Sequence, residues 1–186
     1  SKSPSSFNNR SNSKSEIEPV TLDIWVSDIN LVLTEHARRY LIREGISQEK
    51  IFKTGSHMPE VLDFYQKEIF NCGIMSKLNL VKNEYFVVSM HREENVDSPK
   101  NFKNLLESID ELAKKYDMPI IISTHPRTKK KLEDLDYEAK NPLIKFSKPY
   151  GFHEYNNLQL NAFCVISDSG TIAEEGSILN LPAVTI

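Results

Sequence analysis

The chain has 186 residues, 39% of them apolar and 26% charged, with 23 Lys+Arg against 26 Asp+Glu for a formal net charge of −3. Such a length holds about one to one and a half ordinary domains, and the balanced charge supplies no global basic field for nucleic acid. No run approaches the ~20 apolar residues of a membrane span, and two cysteines (Cys72 and Cys164) are too few for a disulfide framework and lack zinc-site spacing, which points to a reducing cytoplasm.

Residues 1–19 hold seven Ser, three Asn and two Pro, with only Phe7 and Ile17 clearly apolar. Such a segment buries too little surface to offset its ordering entropy, so a disordered polar tail is expected over residues 1–22. Beyond it, β-rich and helical patterns alternate. Strands are expected at Asp28–Thr34, Ile51–Thr54, Tyr85–Met90, Pro119–Thr124, Leu143–Ser147 and Ala162–Ser167. Several are near-continuous runs of Ile, Val and Phe, as in parallel sheets covered on both faces. In Pro99–Tyr116, Phe102, Leu105, Leu106, Ile109 and Leu112 form one stripe of a helix that Ser98 can cap, with Pro99 in its first turn. This alternation predicts an α/β fold with a doubly wound, mostly parallel Rossmann-like sheet, whose ligands bind beyond the carboxyl ends of the strands. The last residues, Leu181–Ile186, read as an apolar strand just begun, and the expectation is a fragment, incomplete at its C-terminus.

Four strand ends carry candidate chemistry. After YFVVSM come His91, Arg92, Glu93, Glu94 and Asn95, either a crevice cluster or a solvated turn into a capped helix. After PIIIST come His125, Pro126 and Arg127, which either face the crevice or form a turn and a helix starting at Pro126; the Lys129–Lys131 run that follows reads as a solvated face. The segment Lys148–Tyr155 is a turn rich in aromatic residues, able to read a base edge or simply to pack. After AFCVIS, the run from Ser167 through Asp168, Ser169, Gly170 and Thr171 to Glu174 and Glu175 enters a helix, whose N-terminus offers amide hydrogens and positive potential to a phosphate. Gly170 permits close approach, Ser169 and Thr171 add hydroxyls, and Glu175 is placed to accept from ribose hydroxyls. The same run is also a capping box, Thr171 to Glu174, and the two readings can coexist.

Together, HREEN, the Lys148–Tyr155 turn and SDSGTIAEE followed by Leu181–Val184 resemble the non-hydrolysing UDP-N-acetylglucosamine 2-epimerase family. STHPR and SDSGTIAEE are most similar to its capsule and O-antigen branch, which forms UDP-N-acetyl-L-fucosamine. The resemblance runs from about Ser27 to Ile186 and includes Thr34–Ala37 and Thr54–Ser56. It implies the C-terminal half of a GT-B-like two-domain enzyme, with a remnant of the first domain and its junction over 23–57 and a UDP-binding domain over 58–186. It implies that Ser169, Gly170 and Thr171 take the diphosphate, Glu175 the ribose and the backbone near Tyr155 the uracil, with His91 the catalytic residue beside the diphosphate. Arg92 and His125 match positions that in some bacterial members contact a second, activating UDP-sugar.

The implied reaction inverts C2: a base takes the C2 proton, UDP leaves C1, a glycal forms, and UDP adds back after the proton returns to the other face. No metal or other cofactor is expected, and the expected partners are a UDP-N-acetyl sugar or UDP and a second copy in a homodimer, with no nucleic acid and no membrane. The family's acid/base carboxylates sit in an H-x-E-A-G and a P-E-E-x-N-R element that residues 1–26 lack, and the surroundings of Glu16, Glu18 and Asp23 do not fit. The expectation is therefore a UDP-binding half, inactive alone; a GT-B glycosyltransferase fragment and an inactive UDP-binding remnant are the alternatives.

Overall fold

The fold is built on a parallel sheet whose central strands open with runs of buried apolar residues, Phe86–Val88 and Ile120–Ile122. The computed structural model describes residues 22–186; the polar tail expected over 1–22 lies almost wholly outside the described residues. The chain separates into two units, one ending at Ser56 and one spanning His57–Ile186.

The first unit contains α1 (Leu22–Val26), β1 (Asn30–Val32), α2 (Glu35–Arg43) and β2 (Ile51–Lys53), with β1 and β2 paired in parallel. Helix α2 starts where the Thr34 hydroxyl accepts from the Ala37 amide at 3.1 Å, an N-cap that satisfies one orphan donor. Val32, Leu41, Ile46 and Ile51 form its small core. Leu31 and Phe52, partners across the pair, are more than half exposed.

The second unit opens with three short helices, α3 (Met58–Phe64), α4 (Gln66–Asn71) and α5 (Ile74–Lys77). Then follow β3 (Phe86–Met90), α6 (Glu93–Val96), α7 (Pro99–Tyr116), β4 (Ile120–Thr124), α8 (Pro126–Asp134), β5 (Ile144–Ser147), α9 (Phe152–Asn161), β6 (Cys164–Ser167), α10 (Ile172–Leu179) and β7 (Ala183–Thr185). The strands form one all-parallel sheet in the order β5-β4-β3-β6-β7. Side chains alternate across it. Phe86, Val88, Met90, Ile120 and Ile122 pack under Phe102, Leu106 and Ile109 of α7, while Tyr85, Val87, Ile121 and Val165 pack with Ile74, Leu158 and Ile172 on the other face. Burial on both faces is why these strands read as near-continuous apolar runs.

Helix α7 has the bounds expected, with Ser98 accepting from the Asn101 amide and Pro99 at its first position. The strands are shorter than their apolar runs. Asp28–Thr34 pairs only over Asn30–Val32, and the run beginning at Pro119, which has no amide hydrogen to give a ladder, pairs from Ile120.

The chain builds outward from β3 through β4 to β5, then returns to lay β6 on the other side of β3. The strand order thus reverses between β3 and β6, and beyond the carboxyl ends of strands at such a reversal an open α/β sheet has its ligand crevice.

Candidate functional site

That crevice is organised by one buried carboxylate. Asp168 follows β6 directly and its side chain is 0% exposed. Its Oδ2 accepts from the backbone amides of His91 and Arg92, both at 2.9 Å, and from Asn95 Nδ2 at 3.3 Å. Its Oδ1 lies 3.1 Å from the His91 amide and 3.0 Å from His91 Nδ1. Charge-assisted bonds of this kind are the condition for burying an anion. They bind the loop after β3 to the loop after β6. The Asp168 amide completes the clamp by donating to the Ser89 carbonyl at 3.2 Å.

His91 remains 40% exposed at the mouth of the crevice. The His125 ring lies 6.2 Å from it, centroid to centroid, across the ends of β3 and β4. His125 is the N-cap of α8, its Nδ1 accepting from the Arg127 amide at 3.4 Å. Arg127 pairs with Glu93 at 2.6 Å, which joins α8 to α6 and keeps the guanidinium charged beyond its ordinary range. The turn-and-helix reading of STHPR describes this segment. Lys129 and Lys130 are exposed, as a solvated face requires.

Gly170 is exposed, and a Cβ there would sit 3.2 Å from Arg92 Nη2, so the serine–glycine loop faces the arginine that follows His91. The expected capping box does not form. Thr171 is the N-cap of α10 in helical geometry, and its side chain makes no cap hydrogen bond. Its hydroxyl instead pairs with Ser169 Oγ at 2.9 Å, while that Oγ accepts from the Thr171 amide at 3.3 Å and Ser167 Oγ accepts from the Ser169 amide at 3.0 Å. The amides of Ser169 and Thr171 and the hydroxyls of Ser167, Ser169 and Thr171 therefore bond among themselves at the N-terminus of α10.

Glu175, one turn into α10, accepts from Gln159 Nε2 at 3.0 Å through Oε2, so it is held rather than free. Gln159 lies on α9 and is 1% exposed. One turn earlier on α9 comes Tyr155, whose amide donates to the Gly151 carbonyl at 2.9 Å. The aromatic turn thus ends at Gly151, and Tyr155 already belongs to a helix. Burial pushes the Tyr155 hydroxyl up to about 12, opposed by a hydrogen bond with Ser89 and reinforced by the charges of Glu175 and Asp168. The structure therefore gathers His91, Arg92, His125, Ser169, Gly170 and Thr171 around one crevice, with Tyr155 and Glu175 tied in through Ser89 and Gln159.

Asp168 and Asn95 fall in segments read as candidate chemistry from the sequence but were given no role there, and Gln159 and Ser89 were not singled out at all. Asp168 carried the clearer signal, as an acid placed directly after an apolar strand. Hollows of about 640 and 730 Å³ run along α7, away from the loops after β3 and β6, lined by a mixture of charged, polar and apolar side chains of α7 and, in the second, of residues 135–140. Among the described residues no group of His, Cys, Asp and Glu is arranged to hold a metal ion, and no helix is long and apolar enough to cross a membrane.

Comparison with known proteins matches residues 6–186 to the family model described as UDP-N-acetylglucosamine 2-epimerase. The UDP-N-acetylglucosamine 2-epimerase of Methanocaldococcus jannaschii is 36% identical over 179 residues, covering 86% of this chain and 48% of that protein. Among solved structures, that of UDP-N-acetylglucosamine 2-epimerase from Rickettsia bellii superposes with a TM-score of 0.78 at 49% identity, covering 89% of this chain and 43% of that one. The M. jannaschii enzyme in complex with UDP-GlcNAc and UDP gives 0.77 at 37% identity, over 86% and 45%. The chain spans about half the length of the curated relatives it matches.

Proposed function

Because the chain belongs to the UDP-N-acetylglucosamine 2-epimerase family, we propose that it carries the UDP-binding half of an enzyme that inverts C2 of a UDP-N-acetyl sugar. Ser169, Gly170, Thr171 and the first turn of α10 hold the diphosphate, Glu175 holds the ribose, and the backbone of Lys148–Tyr155 meets the uracil. His91 stands beside the diphosphate, and Arg92 and His125 reach toward a second UDP-sugar. The observation that carries this reading is the Asp168 clamp, which brings His91 and the α10 N-terminus into one crevice at the reversal of strand order.

The chemistry follows from the leaving group. When the C1–O bond breaks, charge develops on the diphosphate, and donors already aimed there lower the barrier by about 3–4 kcal/mol each. The acid and base that move the C2 proton belong to the other half of the family fold, so this chain binds UDP but does not turn over sugar alone. The half-length match to curated relatives supports that division. The sequences STHPR and SDSGTIAEE favour the branch that makes capsule and O-antigen precursors in the cytoplasm, acting as a homodimer.

Calorimetry with UDP tests the site. The wild-type chain binds, and Glu175→Ala and Ser169→Ala each weaken binding by about tenfold, the loss of one charge-assisted or anion-directed hydrogen bond. Undiminished binding in both variants would remove the assigned site. Supplying the other half in trans with UDP-N-acetyl sugar in deuterated water then tests the reaction: epimerisation installs deuterium at C2, and transfer of the sugar to an acceptor does not.

A further inference from the structure

We propose that Asp168 is a positioning residue that fixes His91 as its Nδ1–H tautomer and so presents Nε2 to the crevice. Only the meeting of Nε2 with a diphosphate rests on the nucleotide reading above; the tautomer follows from geometry. An ionised carboxylate is an acceptor with about four lone-pair sites. Around Asp168 stand the amides of His91 and Arg92 and the Asn95 amide group, all of which can only donate toward it. The remaining neighbour is His91 Nδ1, 3.0 Å from Oδ1. An acceptor already engaged by those donors accepts again, so the hydrogen of a neutral imidazole sits on Nδ1 and the lone pair on Nε2.

The arrangement does more than hold the backbone. The two backbone amides fix the loop by themselves, whereas the ring contact sets its rotation and its tautomer. His91 stays 40% exposed, so the ring's remaining nitrogen belongs to a side chain open to solvent and to ligand. Arg92 follows it with Nη2 beside Gly170, and the His125 ring stands 6.2 Å away, so Nε2 shares the crevice with a guanidinium and a second imidazole. Where a diphosphate binds, the bare Nε2 takes up a solvent proton and its N–H then donates to a phosphate oxygen, with the Asp168 carboxylate on Nδ1 balancing the imidazolium. The same logic orients a histidine by a buried carboxylate in hydrolytic triads, where replacing the acid by its amide imposes the wrong tautomer.

Long-range proton–nitrogen correlation spectra of the ligand-free, ¹⁵N-labelled full chain at about pH 8.5 read the tautomer directly, and His91→Gln assigns the resonance by its disappearance. The expected wild-type pattern is Nδ1–H. In Asp168→Asn the backbone amides keep the carboxamide oxygen, its NH₂ turns toward Nδ1, and the pattern inverts to Nε2–H. UDP affinity in that variant falls about tenfold or more. A part confined to holding the loops predicts a weakened fold with no inversion. A wild-type Nε2–H pattern overturns the proposal, as does a folded Asp168→Asn protein with the wild-type pattern. Should Asp168→Asn fail to fold, the wild-type spectrum decides. An Nδ1–H pattern in a chain that does not bind UDP upholds the tautomer and overturns the nucleotide reading.

Discussion

The Tyr155 hydroxyl lies beneath the site, bonded to Ser89 and raised to about 12, chiefly by burial. An unfolded tyrosine ionises near 10, so between pH 10 and about 12 the folded protein keeps a proton that the unfolded chain has released. Stability is full below that window and declines as pH rises through it, by up to about 1.4 kcal/mol per pH unit. Denaturant midpoints across this range should fall less steeply in Tyr155→Phe, and equal slopes would count against a buried, protonated phenol. Tyr85 is also raised by burial and contributes equally to both proteins. Asp168→Ala removes the acceptor from several donors at once, and urea unfolding should register a loss of about 3 kcal/mol, the cost of one or two orphaned buried groups. These residues mark where sequence reading ran out. The partners of Asp168 lie 73 to 77 positions earlier, and Gln159 is 16 from Glu175. No local pattern encodes such pairs, because they exist only once the sheet has set its strands side by side.

At the scale of elements the sequence was far more legible. Helix α7 could be read to its bounds because stripe, cap and first-turn proline agree along one contiguous stretch. Ser98→Ala should lower stability by about 1 kcal/mol, measured as a drop in thermal midpoint. Thr171 reads equally like a capping side chain, yet at the N-cap position it makes no cap hydrogen bond, and its hydroxyl pairs with that of Ser169. Thr171→Ala should therefore leave stability within about 0.5 kcal/mol of wild type, as for a surface substitution that loses only an exposed hydroxyl pair, yet weaken UDP binding. Stability loss without loss of binding would reinstate the capping box. Strand starts were overread because apolar composition begins before the first paired residue, as at Pro119.

Across the whole molecule, the proposed site draws every residue from the unit spanning His57–Ile186. A chain beginning at His57 should bind UDP as tightly as the full chain, and a loss of more than about tenfold, 1.4 kcal/mol, would assign part of the site to residues before it. Both halves of the Asp168–His91 clamp are local to strand ends, yet 77 positions separate them. Closing a loop of that length costs about 4 kcal/mol of chain entropy before any contact repays it. Docking of β6 against β3 is then a late, non-local event, slow relative to the formation of α7. On a ribosome-bound chain His91 meets Asp168 only once β6 has emerged, so the loop after β3 stays unclamped while β3, β4 and β5 alone are exposed.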